Sequence, residues 1–407
     1  MTTSAPRTAT TDHRHAIAAS FLGWTLDAFD FFLVSMALTN IASEFGRADK
    51  DVAYSISLTL AFRPVGAFIF GLLADRYGRR LPLMIDLVFF AAVEVATGFA
   101  QNFTTFLVLR ALFGIGMGGE WGVGASLAME KAPAARRGIL SGFLQEGYAC
   151  GFLLASLAYL VVFPRWGWRP LFFLGGLPAL LALYVRVGVK ESEVWERTKH
   201  ESWGQLGRGI ISHWKIFLYL VVLMMMMNFI SHGTQDMYPT FLQRDWGFTP
   251  QKRSLLTAFS MVGAITGGIV FGHISDRIGR RRAIVIALVL AILAIPIWAH
   301  APGLPILVAG AFVMQFMVQG AWGVIPAHIN ELSPNHLRGF FPGFAYQLGV
   351  MFAASIPYVE SALGERFTYT QAMGGLVTLV FVVAFIVTVT GPEAKGVSFR
   401  KERGLGD

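Results

Sequence analysis

Apolar runs long enough to cross a bilayer alternate with short polar breaks along almost the whole chain, near residues 16–41, 52–74, 81–100, 104–129, 138–163, 168–189, 214–243, 254–275, 283–300, 303–330, 339–363 and 367–391. One crossing takes about 20 apolar residues, so the pattern predicts twelve spans. Backbone inside a bilayer must satisfy its own hydrogen bonds, and the chain lacks the alternating ten-residue segments of a barrel, so each run is expected to be a helix. The expected fold class is an all-α membrane protein. Residues 1–15 are polar and read as a tail; the run that follows is too long for the apolar part of a signal peptide and lacks a small-residue cleavage pattern, which makes it a retained first span.

Composition narrows the classes. Of the 407 residues, 55% are hydrophobic and 14% charged, against about 25% charged in an ordinary soluble domain. That excludes a water-soluble enzyme. The single cysteine, Cys150, lies inside a run, so neither a disulfide framework nor a cysteine metal site is expected. The net charge of +8 would suggest nucleic acid if the basic residues formed one patch, but they are scattered between the apolar runs, so no nucleic-acid partner is expected. Their distribution orients the chain: with the N-terminus inside, the inner loops and tails hold 23 of the 33 Lys and Arg, the outer loops eight, and the spans two, Arg63 and Arg110. The positive-inside rule then places both termini in the cytoplasm. The expected location is the plasma membrane, for a bacterium its inner membrane. Segment 190–212 mixes charged and apolar residues and suggests an amphipathic helix on the cytoplasmic face, or a simple tether.

The chain repeats itself. GLLADRYGRR at 71–80 returns as GHISDRIGRR at 272–281, an offset of 201. The same shift carries Trp121-Gly122-Val123 onto Trp322-Gly323-Val324, Glu130 onto Glu331, Pro133 onto Pro334 and Arg137-Gly138 onto Arg338-Gly339. Six spans per copy send both copies into the membrane from the same side, as in carriers that rock two halves around a midplane site. The expected division is an N-terminal tail 1–15, a six-helix bundle 16–189, a linker 190–212, a second bundle 213–391 and a C-terminal tail 392–407.

The doubled GxLaDRxGRR motif and the Arg-Gly pairs that open spans five and eleven resemble the major facilitator superfamily. The resemblance implies twelve transmembrane helices in two parallel-repeat bundles. In this chain the motif positions imply gating residues: Asp75, Arg76 and Arg80 with their echoes Asp276, Arg277 and Arg281, and Arg137 with Arg338. Asp75 and Asp276 sit where each can pair with nearby Arg side chains or helix termini, a latch that breaks as the halves rock. Arg76, Arg79, Arg80, Arg280, Arg281 and Arg282 also fix topology.

The repeats differ in polarity. The shift of 201 sets Asp27 against Asn228, Arg63 against Ala264, Glu120 against Ala321 and Glu146 against Gln347. An ionisable group at bilayer depth costs about 2.5–3.5 kcal/mol on insertion scales, so each marks candidate function. At about 1.5 Å per residue, Arg63 lies roughly 18 Å and Asp27 roughly 16 Å into the membrane. Arg63 is therefore the first candidate to anchor an anion, the alternative being an ion pair with Asp27 or Asp30. Arg110 opens a small-residue stripe, Gly114, Gly116 and Gly118, that resembles the superfamily's fourth-helix motif and suggests close helix packing or proton-linked gating.

The seventh run contains NFISHGTQDMYPT, in which Asn228, His232, Asp236 and Thr240 recur every four residues and form one polar stripe. His changes charge near neutral pH, and a carboxylate one turn away is a partner for its protonated form. Gly233 and Pro239 allow this helix to break or bend. The segment is similar to the Asn-x-x-Ser/Thr-His-x-Ser/Thr-Gln-Asp-x-x-x-Thr signature of lactate/pyruvate permeases in the sialate:proton symporter family, and LAFRPVGA around Arg63 and AYQLG around Gln347 are similar to its second and eleventh helices. The resemblance implies proton-coupled uptake of short monocarboxylates, with Arg63, Asn228, Gln347 and Thr240 toward substrate, His232 and Asp236 toward the proton, and Asp27, Asp30 and Glu146 as alternates. No cofactor is expected beyond the coupling proton, and the expected partners are a small organic acid and the lipid bilayer, with the chain a monomer. Rival expectations are a proton symporter of sialic acid, an aromatic acid or a sugar, and a non-transporting carboxylate sensor. An enzyme is excluded, because no paired metal-ligand set or nucleophile elbow lies at membrane depth.

Overall fold

The computed structural model describes residues 9–198, 202–236, 238–355, 359, 363 and 366–399. In chain order the helices are α1 (Ala9–Glu44), α2 (Asp49–Tyr77), α3 (Arg80–Gly98), α4 (Phe103–Lys131), α5 (Arg137–Gln145), α6 (Gly147–Trp166), α7 (Arg169–Leu174), α8 (Leu177–Gly188), α9 (Glu193–Thr198), α10 (Trp203–Ser212), α11 (Trp214–Gln235), α12 (Tyr238–Arg244), α13 (Pro250–Ile278), α14 (Arg280–Ala299), α15 (Leu304–Leu332), α16 (Phe341–Ala353) and α17 (Tyr369–Thr390). Eleven spans are long and apolar enough to cross a membrane among the described residues. The twelfth, expected over 339–363, begins as α16 and then runs into residues outside the described ones. Among the described residues two spans are broken: α5 gives way to α6 at Glu146, and α7 to α8 at Gly175-Gly176; between α11 and α12, residue 237 lies outside the described ones.

The packing repeats as the sequence does. In the first copy α2 packs on α4 and α1 on α6; in the second, α13 packs on α15 and α11 on α16. The tight turns that join α2 to α3 and α13 to α14 rest on Gly78 and Gly279, whose φ values of 102° and 106° a side chain would disfavour. The two copies meet where α16 lies on α2 and α4, and where α5 lies on α13 and α15. Large aliphatic residues such as Leu160 (70% exposed), Leu293 (68%) and Val187 (90%) stand on the outer surface, where a bilayer and not water would cover them.

Segment 190–212 holds two short helices, α9 and α10, and not one amphipathic helix; α10 starts at a capping box in which Ser202 Oγ accepts from Gln205 N. The described part of the expected C-terminal tail folds back on the protein, with Ala394 and Phe399 buried.

Candidate functional site: a central guanidinium and a closed gate

Helix α2 is held against α4 by glycines. A Cβ on Gly114 would lie 2.2 Å from the Thr59 carbonyl oxygen, and one on Gly118 would lie 1.9 Å from that of Arg63. The small-residue stripe read in the sequence thus fixes the backbone that carries Arg63. The side chain is 3% exposed, and its Cζ lies 5.7 Å from the ring centroid of Tyr346 on α16, so it stands between the halves and away from lipid. Its Nε and Nη2 have no hydrogen-bond partner in the protein. Asp27, fully buried on α1, is within electrostatic reach of Arg63, but neither of its oxygens accepts a hydrogen bond from the protein. No fixed ion pair with Arg63 forms. Asp30 is also buried, but it lies beside Glu94 and Gly175, within the first bundle.

The Tyr346 ring that faces the guanidinium belongs to an aromatic cluster. Ring centroids of Tyr346 and Trp121 are 4.4 Å apart, those of Tyr346 and Trp322 5.7 Å, and those of Trp24 and Tyr148 5.4 Å, with Trp24 edge-on to Trp121 at 6.3 Å. Five helices, α1, α4, α6, α15 and α16, contribute to it. In a chain with 14% aromatic residues, no spacing singles out these five rings.

On α11, His232 Nδ1 and Asp236 Oδ2 lie 2.9 Å apart, and their side chains are 30% and 31% exposed. Asn228 donates from Nδ2 to the Met224 carbonyl oxygen at 2.8 Å. Gln347 is fully buried on α16, and both of its amide atoms lack a protein partner. Thr240 sits on α12, past residue 237, which lies outside the described residues. Glu146 occupies the α5–α6 break and points its Oε1 across to α13, where a Cβ on Gly268 would lie 2.0 Å from it. Glu120 stays in the first bundle, against Gly23. Arg110 makes a two-pronged pair with Glu94, one arm at 3.2 Å, and donates to Thr97 Oγ1 at 2.6 Å; that buried cluster is a packing element of the first bundle.

The halves are joined at the end that carries the doubled motif, called here the basic end. Asp75 accepts the backbone N–H groups of Gly339 (2.7 Å) and Phe340 (2.9 Å), at the N-terminus of α16. Its repeat partner Asp276 accepts those of Gly138 (2.7 Å) and Ile139 (3.0 Å), in the first turn of α5. Each carboxylate therefore caps a helix N-terminus of the opposite half, where backbone donors lack intrahelical acceptors and the dipole favours negative charge. Arg137 reaches Glu331 at 2.8 Å and Arg338 lies 3.5 Å from Glu130, a second reciprocal exchange.

The arginines that clamp the carboxylates are Arg79 and Arg280. Arg79 bonds Asp75 at 2.7 Å and Glu130 at 3.0 Å; Arg280 bonds Asp276 at 2.8 Å and Glu331 at 3.0 Å. Arg76, Arg80, Arg277 and Arg281, also expected to gate, lie elsewhere. Arg76 stacks over the neighbouring Tyr77 ring, Arg80 donates to the Arg186 carbonyl, Arg281 donates to the Gly391 carbonyl at 2.8 Å, and Arg277 is exposed. Glu191 and Glu393 brace the two turns, each accepting two backbone N–H groups: Arg79 and Arg80 for the first, Arg280 and Arg281 for the second. Burial alone would push the Glu393 carboxyl up, but the N–H groups of Lys395, Arg280 and Ala394 outweigh it and hold the group below the usual glutamate range.

Comparisons with known proteins fit this geometry. Residues 15–205 match the family profile described as "Sugar (and other) transporter", and residues 228–406 match "Major Facilitator Superfamily". A "carboxylic acid transporter protein homolog" of Saccharomyces cerevisiae is 29% identical over 92% of this chain and 67% of its own length. The sialic acid transporter NanX of Escherichia coli is 27% identical over 94% of this chain and 95% of its own. The solved structure of the proton:xylose symporter XylE superposes with a TM-score of 0.74 at 19% identity, covering 96% of this chain and 98% of that one, which shows a shared fold. With a transporter profile on each half and the XylE fold over nearly its full length, the chain belongs to the major facilitator superfamily, a family of membrane transporters and not of enzymes.

Proposed function

We propose that this transporter is a proton-coupled symporter of small monocarboxylates of the lactate and pyruvate type, working by alternating access with its basic end in the cytoplasm. The observation that carries this reading is the Arg63 guanidinium, buried between the halves with Nε and Nη2 unpaired. Leaving a buried donor unpaired costs about 1–3 kcal/mol, more for a charged group, and a carboxylate with two oxygens is the ligand that repays it. The names of relatives that carry carboxylic and sialic acids support an organic acid.

In this mechanism Arg63 takes the carboxylate and the free amide of Gln347 orients the rest of the molecule, with Asn228 and Thr240 nearer the half-buried His232. His232 and Asp236, already hydrogen-bonded and half-open to solvent, carry the proton. Asp27 and Glu146 are buried carboxylates along the same path, and Asp30 lies further inside the first bundle. Coupling requires that anion and proton favour the same closed intermediate, so that neither crosses readily alone.

Proteoliposomes with an imposed proton gradient test this. Labelled lactate is expected to accumulate, with pyruvate competing and sialate and benzoate not. Arg63→Lys keeps the charge but loses the planar fork and is expected to lower the affinity for lactate at least tenfold. His232→Gln is expected to break the link between internal acidification and uptake. Lactate uptake unchanged by Arg63→Lys overturns the anchor, and a His232→Gln carrier that still acidifies in step with uptake removes that residue from the proton path.

A further inference from the structure

Arg137 and Arg338 hold equivalent places in the two copies, and each reaches for the glutamate of the other half. The exchange brings two guanidinium groups together at the centre of the basic end. Phe399 packs against both. Its ring centroid lies 3.8 Å from the Cζ of Arg137 and 3.8 Å from the Cζ of Arg338, and the residue is 4% exposed. The π system of one ring thus meets two cations in a site closed to water, where such contacts are strongest.

The backbone around the ring is tied to both halves. The Val397 carbonyl accepts from Arg137 Nη1 at 3.1 Å, and Glu393 holds the turn before α14 through the N–H groups of Arg280 and Arg281. We propose that Phe399 is a positioning residue of the transport cycle: it holds Arg137 and Arg338 in the geometry in which they bridge the halves, which makes the stretch 392–399 a working part of the gate. Without the ring, two like charges face each other across a gap that water enters. Opening of the basic end draws α5 away from α16 and takes at least one cation off the ring, so the contact favours the closed state alone and biases the equilibrium between the two. The inference needs only that the halves part at this end, and it stands whichever acid is carried.

Spin labels on Ala135→Cys and Arg282→Cys, one in each half, report the separation of the basic end in full-length Cys150→Ser protein in lipid nanodiscs. Phe399→Leu keeps an apolar side chain of similar bulk but has no π faces, and it is expected to raise the population at long distance about tenfold. Phe399→Trp keeps two faces and is expected to restore the parent distribution. A role in packing alone would lower thermal stability without moving the ratio of the two populations. The proposal is overturned if Phe399→Leu leaves the distribution unchanged, or if Phe399→Leu and Phe399→Trp shift it equally. Should Phe399→Ala fail to fold, the Leu and Trp pair still decides.

Discussion

Asp75→Asn is the sharpest probe of the gate because the geometry of the lost bonds is known. In the closed state the carboxylate accepts N–H groups from Gly339 and Phe340 of the opposite half, and a third hydrogen bond from Arg79. The amide retains one acceptor oxygen and turns an NH2 group toward the second backbone donor. One charge-assisted hydrogen bond is lost outright, about 1.5–3 kcal/mol, and the other weakens because its acceptor is now neutral. In the opened gate the same groups are hydrated, so the loss falls on the closed state. The ratio of closed to open molecules should drop by about 10- to 150-fold. The seam offers its own reporter in Ser141, fully buried, whose Oγ accepts Ala327 N–H at 3.0 Å across the halves. In a Cys150→Ser background, modification of Ser141→Cys by a membrane-impermeant maleimide supplied at the basic end should accelerate at least tenfold when Asp75→Asn is added. Asp276→Asn should act alike, and because both latches hold one two-state equilibrium, the factors should multiply in the double variant. A labelling rate that stays within about twofold of the parent refutes the latch, since even the smallest estimate above exceeds it.

Other outcomes follow from single contacts. A Cβ on Gly122 would lie 2.5 Å from Gly343 Cα, backbone against backbone, so Gly122→Val should keep the halves from meeting and cut transport more than tenfold, whereas Gly207→Ala, with nothing within 4 Å, should leave it unchanged. Glu94→Gln strands the buried Arg110 guanidinium; breaking such a pair costs about 3–5 kcal/mol, and the melting temperature in detergent should fall, while unchanged melting would show that water reaches the site. Glu393 is held below its ordinary value of 4.5, so its contribution to stability is present above that value and is lost as the pH falls through the depressed one. Parent protein should therefore lose melting temperature below about pH 4 more steeply than Glu393→Gln, and parallel curves would remove that residue from the acid response.

Hydropathy carried the spans because a bilayer leaves the backbone no alternative to helix. The offset of 201 carried the gate because reciprocal latches require the same chemistry twice. What the sequence left open were choices of phase. Arg76, Arg79 and Arg80 are one residue type within a few positions of Gly78, and the φ of 102° there decides which of them turns inward. Glu191 and Glu393 do the same work but stand 202 residues apart, one off the repeat, so the ungapped shift missed the pair. Phe399 lay in a stretch whose polarity reads as a tail; its burial depends on two arginines more than sixty residues away.

The contrast between a symmetric gate and an asymmetric centre has a physical reason. A latch closes only if both halves contribute, so Asp75 and Asp276, and Arg137 and Arg338, recur in both copies. The proposed binding of one anion requires one cation. A second arginine at position 264, which holds Ala264 opposite Arg63, would leave an uncompensated buried charge whenever the site was empty, at several kcal/mol. The gate is bounded from the other side as well. A ligand shifts the equilibrium between states only by its differential affinity for them, and micromolar binding supplies at most about 8 kcal/mol in all. Each gate hydrogen bond is exchanged for water on opening and contributes a net of only about 0.5–1.5 kcal/mol, or 1.5–3 where a charge takes part. Many short bonds of small net value give a closed state that is geometrically well defined yet still within the reach of a small ligand to open, whereas an apolar seal of the same area would lock the carrier shut.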